Sequence, residues 1–198
     1  YKELLIQGGM FMHGPKYKDA CEKVLLQQYR DHRDPTIRKT VVDIIPILAA
    51  YAPKEFCHSY LARSMQHLQS LLKDPKQRNM AFTAIGHIAH AVGSQIAPYL
   101  DTILLHIRES LSMKHRSKNT DEAPIFTCIS MISIAVGQTL SKYMEALLDP
   151  IFACGLSEAL TQALVDMAHY IPPVKGTIQE KLLDLCLLYT SLSGLARQ

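Results

Sequence analysis

The chain has 198 residues, 48% hydrophobic and 20% charged, ordinary values for a packed domain that exclude a disordered tail or a collagen-like chain. Its net charge of +3 is too mild to name a nucleic-acid partner, which asks for a basic stripe. The apolar residues are biased: 26 Leu, 18 Ala and 17 Ile stand against 7 Val and no Trp, so good helix formers dominate and an all-α fold is predicted. Ten Pro and nine Gly then act as joints, because Pro inside a helix costs about 3 kcal/mol.

The opening YKELLIQGG reads as the end of a helix already under way, with neither a basic n-region nor a small-residue cleavage site, and predicts a segment of a longer protein. Its partner helix is predicted from Pro15 to Arg30. Asp34-Pro35 then places an N-cap acceptor directly before a Pro at the first helical position, and Asp74-Pro75 repeats the signal. Behind the first of these starts, Ile37, Val41, Ile44 and Leu48 stand at i, i+4, i+7 and i+11, one face of a helix.

That face recurs. An offset of 44 leads to Ala81, Ile85, Ile88 and Val92, and a second offset of 44 to Ile125, Ile129, Ile132 and Val136. A fourth copy, Leu160, Leu164, Met167 and Ile171, arrives 35 residues later. Between them lie partner helices with the same spacing: Leu61, Met65, Leu68, Leu72; Leu100, Leu104, Ile107, Leu111; Met144, Leu148, Ile151; and Ile178, Leu182, Leu185, Tyr189. Gly93 and Gly137 occupy matching places at the ends of first helices, where a residue tolerant of positive φ is wanted.

Helix pairs of this length are the units of HEAT repeats, so the expected fold is an α-solenoid of about four and a half repeats. The expected units are residues 1–31 (partial), 34–73, 74–116, 121–155 and 157–193. Pro46 and Pro150 fall inside predicted helices and should kink them. The polar, basic connection Ser112–Asp121 is expected to be mobile. The apolar runs Ile125–Gly137 and Leu185–Ala196 are interrupted by polar residues and fall short of the ~20 that a membrane span requires.

Chemistry candidates are few. His87 and His90 could share a helix face, but a metal site needs three or four converging ligands and none joins them at a helical offset. The five Cys are widely spaced with no C-x-x-C, which reads as buried, reduced thiols more than a disulfide frame and as an intracellular setting. No G-x-x-x-x-G-K-[ST] or G-x-G-x-x-G is present to cradle phosphates, so no cofactor is expected in this chain. Arg38 and Arg78 could bridge back to Asp34 and Asp74.

A solenoid offers long surfaces rather than an enclosed pocket, so the default function is protein binding. Lys114, His115, Arg116 and Lys118 form the one dense basic cluster and could meet an acidic or phosphorylated partner, although a solvated loop explains them as well. Tyr17, Tyr51, Tyr60, Tyr99 and Tyr143 lie near repeat edges; some should anchor contacts, Tyr99 and Tyr143 foremost, while at least half pack between repeats.

The strings IFTCISMISIAVG (Ile125–Gly137) and LLDPIFACGLSEALTQALVDMAHYIP (Leu147–Pro172) resemble the N-terminal HEAT-repeat region of the target of rapamycin (TOR) kinases. A weaker likeness runs back through NMAFTAIGHIAHAVGSQIAPYL (Asn79–Leu100) and TVVDIIPILAAYAP (Thr40–Pro53). The resemblance implies a scaffold piece of a very large serine/threonine kinase. In that family the solenoid contributes to dimeric complexes and docks Raptor-type or Rictor-type subunits, while the ATP and Mg site lies far toward the C-terminus. It implies no catalytic residue here, and a parent that is cytoplasmic, peripheral on endomembranes such as the vacuole or lysosome, and partly nuclear. Two other classes stay open: a HEAT adaptor or transport protein holding peptide cargo on its concave face, and nucleic-acid binding through the 114–118 loop.

Overall fold

The computed structural model of the chain describes residues 15–28, 34–114 and 121–195. Among these residues every regular element is helical, in chain order α1 (Pro15–Gln28), α2 (Pro35–Tyr51), α3 (Pro53–Ser59), α4 (Leu61–Leu72), α5 (Arg78–Val92), α6 (Leu100–Lys114), α7 (Ala123–Val136), α8 (Ser141–Phe152), α9 (Glu158–Tyr170) and α10 (Lys175–Leu195). Short 3-10 turns, Gly93–Tyr99, Gly137–Leu140 and Pro172–Val174, join the last three pairs.

The helices form two layers. One layer stacks α2, α5, α7 and α9 in succession; the other places α4, α6 and α8 side by side, and α10 returns against α9. This is the α-solenoid that the repeated faces imply. Ala81, Ile85, Ile88 and Val92 are all buried, as are Leu160, Leu164, Met167 and Ile171 in the last repeat. In the second layer Leu61, Met65, Leu68 and Leu72, then Leu100, Leu104, Ile107 and Leu111, are buried in the same way. At ~25 cal/mol per Å² of apolar area removed from water, these stripes are the main stabilising term. Ile37 is exposed, at 38%, in a first turn whose neighbours Thr36, Arg38, Lys39 and Thr40 are also exposed, and Val136, Leu182 and Leu185 of the expected faces are only half-buried.

The joints follow local chemistry. Asp34 caps α2, its Oδ1 accepting the Thr36 N–H at 2.8 Å, with Pro35 at the first helical position. The second expected start is corrected. Asp74 closes a turn instead, accepting from Lys76 N–H at 3.0 Å and Gln77 Nε2 at 2.6 Å, and α5 begins only at Arg78. Those bonds hold the Asp74 carboxyl below its usual range, the Gln77 bond being the largest cause. The expected Arg38–Asp34 and Arg78–Asp74 bridges are also revised: Arg78 Nε donates to the Leu72 carbonyl at 2.9 Å, and the Arg38 charge acts on Asp74.

Gly93 and Gly137 end α5 and α7 with φ of 59° and 51°, a backbone region open to glycine. Gly155 precedes α9 with φ 81°, and Ser157 caps that helix by accepting the Leu160 N–H at 3.2 Å. Pro46 lies within α2 and is buried, so the Val42 carbonyl has no i+4 N–H to accept. The stretch Ala123–Phe152 is apolar enough, at a mean hydropathy of 1.6, to match a membrane span by length and composition. It is nevertheless two helices of 14 and 12 residues parted at Gly137. Phe126, Cys128, Ile129 and Ile132 on the first of them are buried in the core.

Bonds across repeats tie the stack. Asn79 Nδ2 donates to the Asp121 carbonyl at 3.1 Å, Ser130 Oγ to Asp166 Oδ2 at 2.5 Å, and Lys181 Nζ reaches Asp149 Oδ1 at 2.5 Å. The last is a surface pair, and such pairs contribute at most about 1 kcal/mol.

Candidate protein-contact surface

The five tyrosines singled out in the sequence separate into two groups. Tyr17 is buried, donates its hydroxyl to the Leu48 carbonyl at 2.8 Å, and stacks on Tyr51 with ring centroids 5.8 Å apart. Tyr60 meets it edge-on at 6.4 Å and is buried too. These three seal α1 onto α2 and the α3–α4 corner, which removes Tyr17 and Tyr60 as contact anchors. Burial, the largest cause, pushes the Tyr17 hydroxyl well above the usual tyrosine range, with the neighbouring Cys21 adding to it.

Tyr99 and Tyr143 are half-buried, both packed against the core. Tyr143, in the first turn of α8, reaches back one repeat to donate its hydroxyl to Asp101 Oδ1 of α6 at 2.5 Å. Lys142 Nζ lies 4.7 Å from the centre of the Tyr143 ring, and the Tyr143 side chain is the main reason the Lys142 ammonium is held above the usual lysine range. A cleft of about 250 Å³ opens beside this cluster between α6 and α8, edged by Leu105, which is 43% exposed, and by the exposed Arg108. An apolar side chain with a cation and an aromatic hydroxyl beside it is an arrangement suited to protein contacts.

Of the basic cluster, Lys114 is the last residue of α6; its side chain and all of His115, Arg116 and Lys118 lie outside the described residues. Cysteine placement is mixed. Cys21 and Cys128 are buried, and burial raises both thiols, Cys21 to about 11, so neither serves as a thiolate at neutral pH. Cys57 and Cys154 are half-buried and Cys186 is exposed, so the expectation of buried thiols is corrected at Cys186 and holds only in part at Cys57 and Cys154. Among the described residues no group of three or more His, Cys, Asp or Glu stands together as metal ligands.

Sequence reasoning passed over a second feature. His87 and His90 line a cleft of about 560 Å³ between α2 and α5, floored by Val42, Pro46, Ile47 and Ala84. The signal was in the register: position 42 is Val, while 44 residues on, position 86 is Gly. Gly86 lets α5 and α7 close together, since a Cβ there would stand 3.0 Å from the Cys128 Cα. Val42 lies on the floor of the cleft between α2 and α5.

A family profile described as "Importin subunit beta-1-like, TPR repeats" matches residues 16–182. The serine/threonine-protein kinase tor1 of Schizosaccharomyces pombe is 43% identical over 93% of the chain, and the serine/threonine-protein kinase TOR of Oryza sativa is 33% identical over 92%. The chain spans only 8% and 7% of those kinases' own lengths. Transportin-1 of Oryza sativa is 25% identical over 99% of the chain, which spans 21% of it. The chain belongs to the importin-beta-1-like helical-repeat family, and within that family it is a homologue of the repeat region of the TOR kinases.

Proposed function

We propose that this segment is a non-catalytic scaffold of a TOR-type serine/threonine kinase, presenting a surface to companion subunits that direct the kinase to its substrates. The observation that carries the reading is the pairing of a two-layer repeat array with 43% identity to a kinase of which it covers 8%. A repeat array makes surfaces, and the described residues here make clefts open to solvent. The ATP and Mg chemistry then belongs to a catalytic region elsewhere in the parent, which works in the cytoplasm or at endomembranes and assembles as a dimer with Raptor-type or Rictor-type subunits.

The α6–α8 face is the surface we assign to those subunits. Full-length kinase in which Arg108→Glu, Glu109→Lys, Lys142→Glu and Glu145→Lys reverse the exposed charges of α6 and α8 should recover less companion subunit in a pull-down, by about tenfold. Recovery equal to that of the unaltered kinase would remove this surface from the account. The second reading, a transport adaptor that holds peptide cargo, draws support from the likeness to transportin-1 and the importin-beta-1-like profile. It predicts that a peptide-sized ligand occupies a trough along the stack with no kinase subunit involved.

A further inference from the structure

The α2–α5 cleft has a neighbour. A second cleft, of about 530 Å³, is lined by Pro53, Lys54, Cys57, His58, Val92 and Gln95, and Pro53 lines both, so the two adjoin at the α2–α3 joint and are taken together as one trough. Its floor is apolar: Val42, Pro46, Ile47, Ala84 and Ala91. Its rim carries N–H donors. His87 and His90 stand exposed along α5, and Lys54 and His58 stand exposed one turn apart on α3. The one acid among the lining residues is Asp43, half-buried beside the floor. Glu55, exposed next to Lys54, lines neither cleft.

The trough is a departure from the repeat. One repeat further on, Gly86 brings α5 within backbone contact of Cys128 on α7, and Met131 takes the register position that His87 holds in the preceding repeat. An apolar floor under a rim of four donors is complementary to a segment whose apolar anchors alternate with carboxylates.

We infer that the trough formed by α2, α3 and α5 docks a segment of a partner protein that carries acidic side chains among apolar anchors. The inference deepens the scaffold reading by naming the chemistry of one partner, on a face separate from α6 and α8.

The test uses the full-length protein that carries this segment and two short fluorescein-labelled peptides with Leu at the same helical positions, one with Glu and one with Lys at the rest. In fluorescence anisotropy the Glu peptide should bind at least about tenfold more tightly than the Lys peptide. The triple change Lys54→Glu, His87→Glu and His90→Glu should weaken the Glu peptide by about tenfold, while His87→Lys with His90→Lys should keep it bound. Ala50→Trp, at an exposed position on the trough's edge, should weaken both peptides by filling the floor. Equal binding of the two peptides, binding of neither, or indifference to the triple change would overturn the inference. Companion recovery through the α6–α8 face should be unaltered in the triple variant. Loss of peptide binding alone and loss of subunit assembly alone therefore report on the two proposals separately.

Discussion

Gly86 of α5 and Cys128 of α7 meet backbone to backbone: a methyl group placed on Gly86 would lie 3.0 Å from the Cys128 Cα and 3.3 Å from the Met131 sulfur. The passage of α5 against α7 thus depends on a missing side chain in the middle of a helix. Gly86→Ala should gain about 1 kcal/mol of helix propensity but lose more by forcing the two helices apart, since overpacking a core costs about 1–3 kcal/mol. A net loss of roughly 1 kcal/mol is expected in denaturant unfolding, with an unchanged m-value. A stabilised variant would mean that the helices separate freely here.

Gly93 and Gly137 share one backbone geometry, φ 59° with ψ −135° and φ 51° with ψ −127°, but differ in surroundings. Nothing lies within 4 Å of a Cβ at Gly93, whereas a Cβ at Gly137 would stand 3.2 Å from the Tyr170 carbonyl oxygen. Gly93→Ala should lose about 1–2 kcal/mol from backbone strain alone, and Gly137→Ala more. Gly176, in the first turn of α10 with open space around it, is the control: Gly176→Ala should be neutral or stabilise by up to about 1 kcal/mol. Thermal unfolding of the three variants ranks them directly.

The Tyr17 hydroxyl is buried and engaged with the Leu48 carbonyl, which also accepts the Ala52 N–H at 3.4 Å. Tyr17→Phe therefore leaves the acceptor partly satisfied and keeps the ring stacked on Tyr51. A loss of about 0.5–1.5 kcal/mol is expected, the ordinary net value of one hydrogen bond. Tyr17→Ala should cost several times that, because it opens a cavity between α1 and α2.

His67 on α4 is half-buried, and desolvation lowers its pKa below the 6.5 of a free imidazole. Below pH 6.5 the unfolded chain takes up a proton that the folded chain resists, so stability present above that pH is lost as the pH falls through it. His67→Gln should flatten the stability profile between pH 7 and pH 5. A profile identical to that of the unaltered chain would place the acid sensitivity elsewhere.

Much of the architecture was legible because burial obeys the helical period. Ala81, Ile85, Ile88 and Val92 could be read as one face from spacing alone, and they are one face. The first-turn residue Ile37 obeyed the same spacing and escaped burial because the turn it belongs to protrudes as a whole. Asp74-Pro75 misled for a different reason. Asp74 accepts the Lys76 N–H just as Asp34 accepts that of Thr36, but its other oxygen takes the Gln77 side-chain amide, and a turn fills the residues up to the helix start at Arg78. The contact surface was less legible, because it depends on pairs far apart in sequence. The Tyr143–Asp101 bond joins residues on different helices, and the α2–α5 trough exists where Val42 stands instead of a glycine. The first relation leaves no mark in helical spacing, and the second shows only when positions 42 and 86 are compared across the repeat.

The central claim is that the segment scaffolds without catalysing. The most direct test measures, in one preparation of full-length kinase bearing the reversed charges on α6 and α8, phosphate transfer to a small unstructured peptide and to a folded substrate delivered by the companion subunit. The account predicts that transfer to the peptide stays at the unaltered level while transfer to the folded substrate falls about tenfold along with companion recovery. Loss of transfer to the small peptide, with the companion still bound, would contradict it.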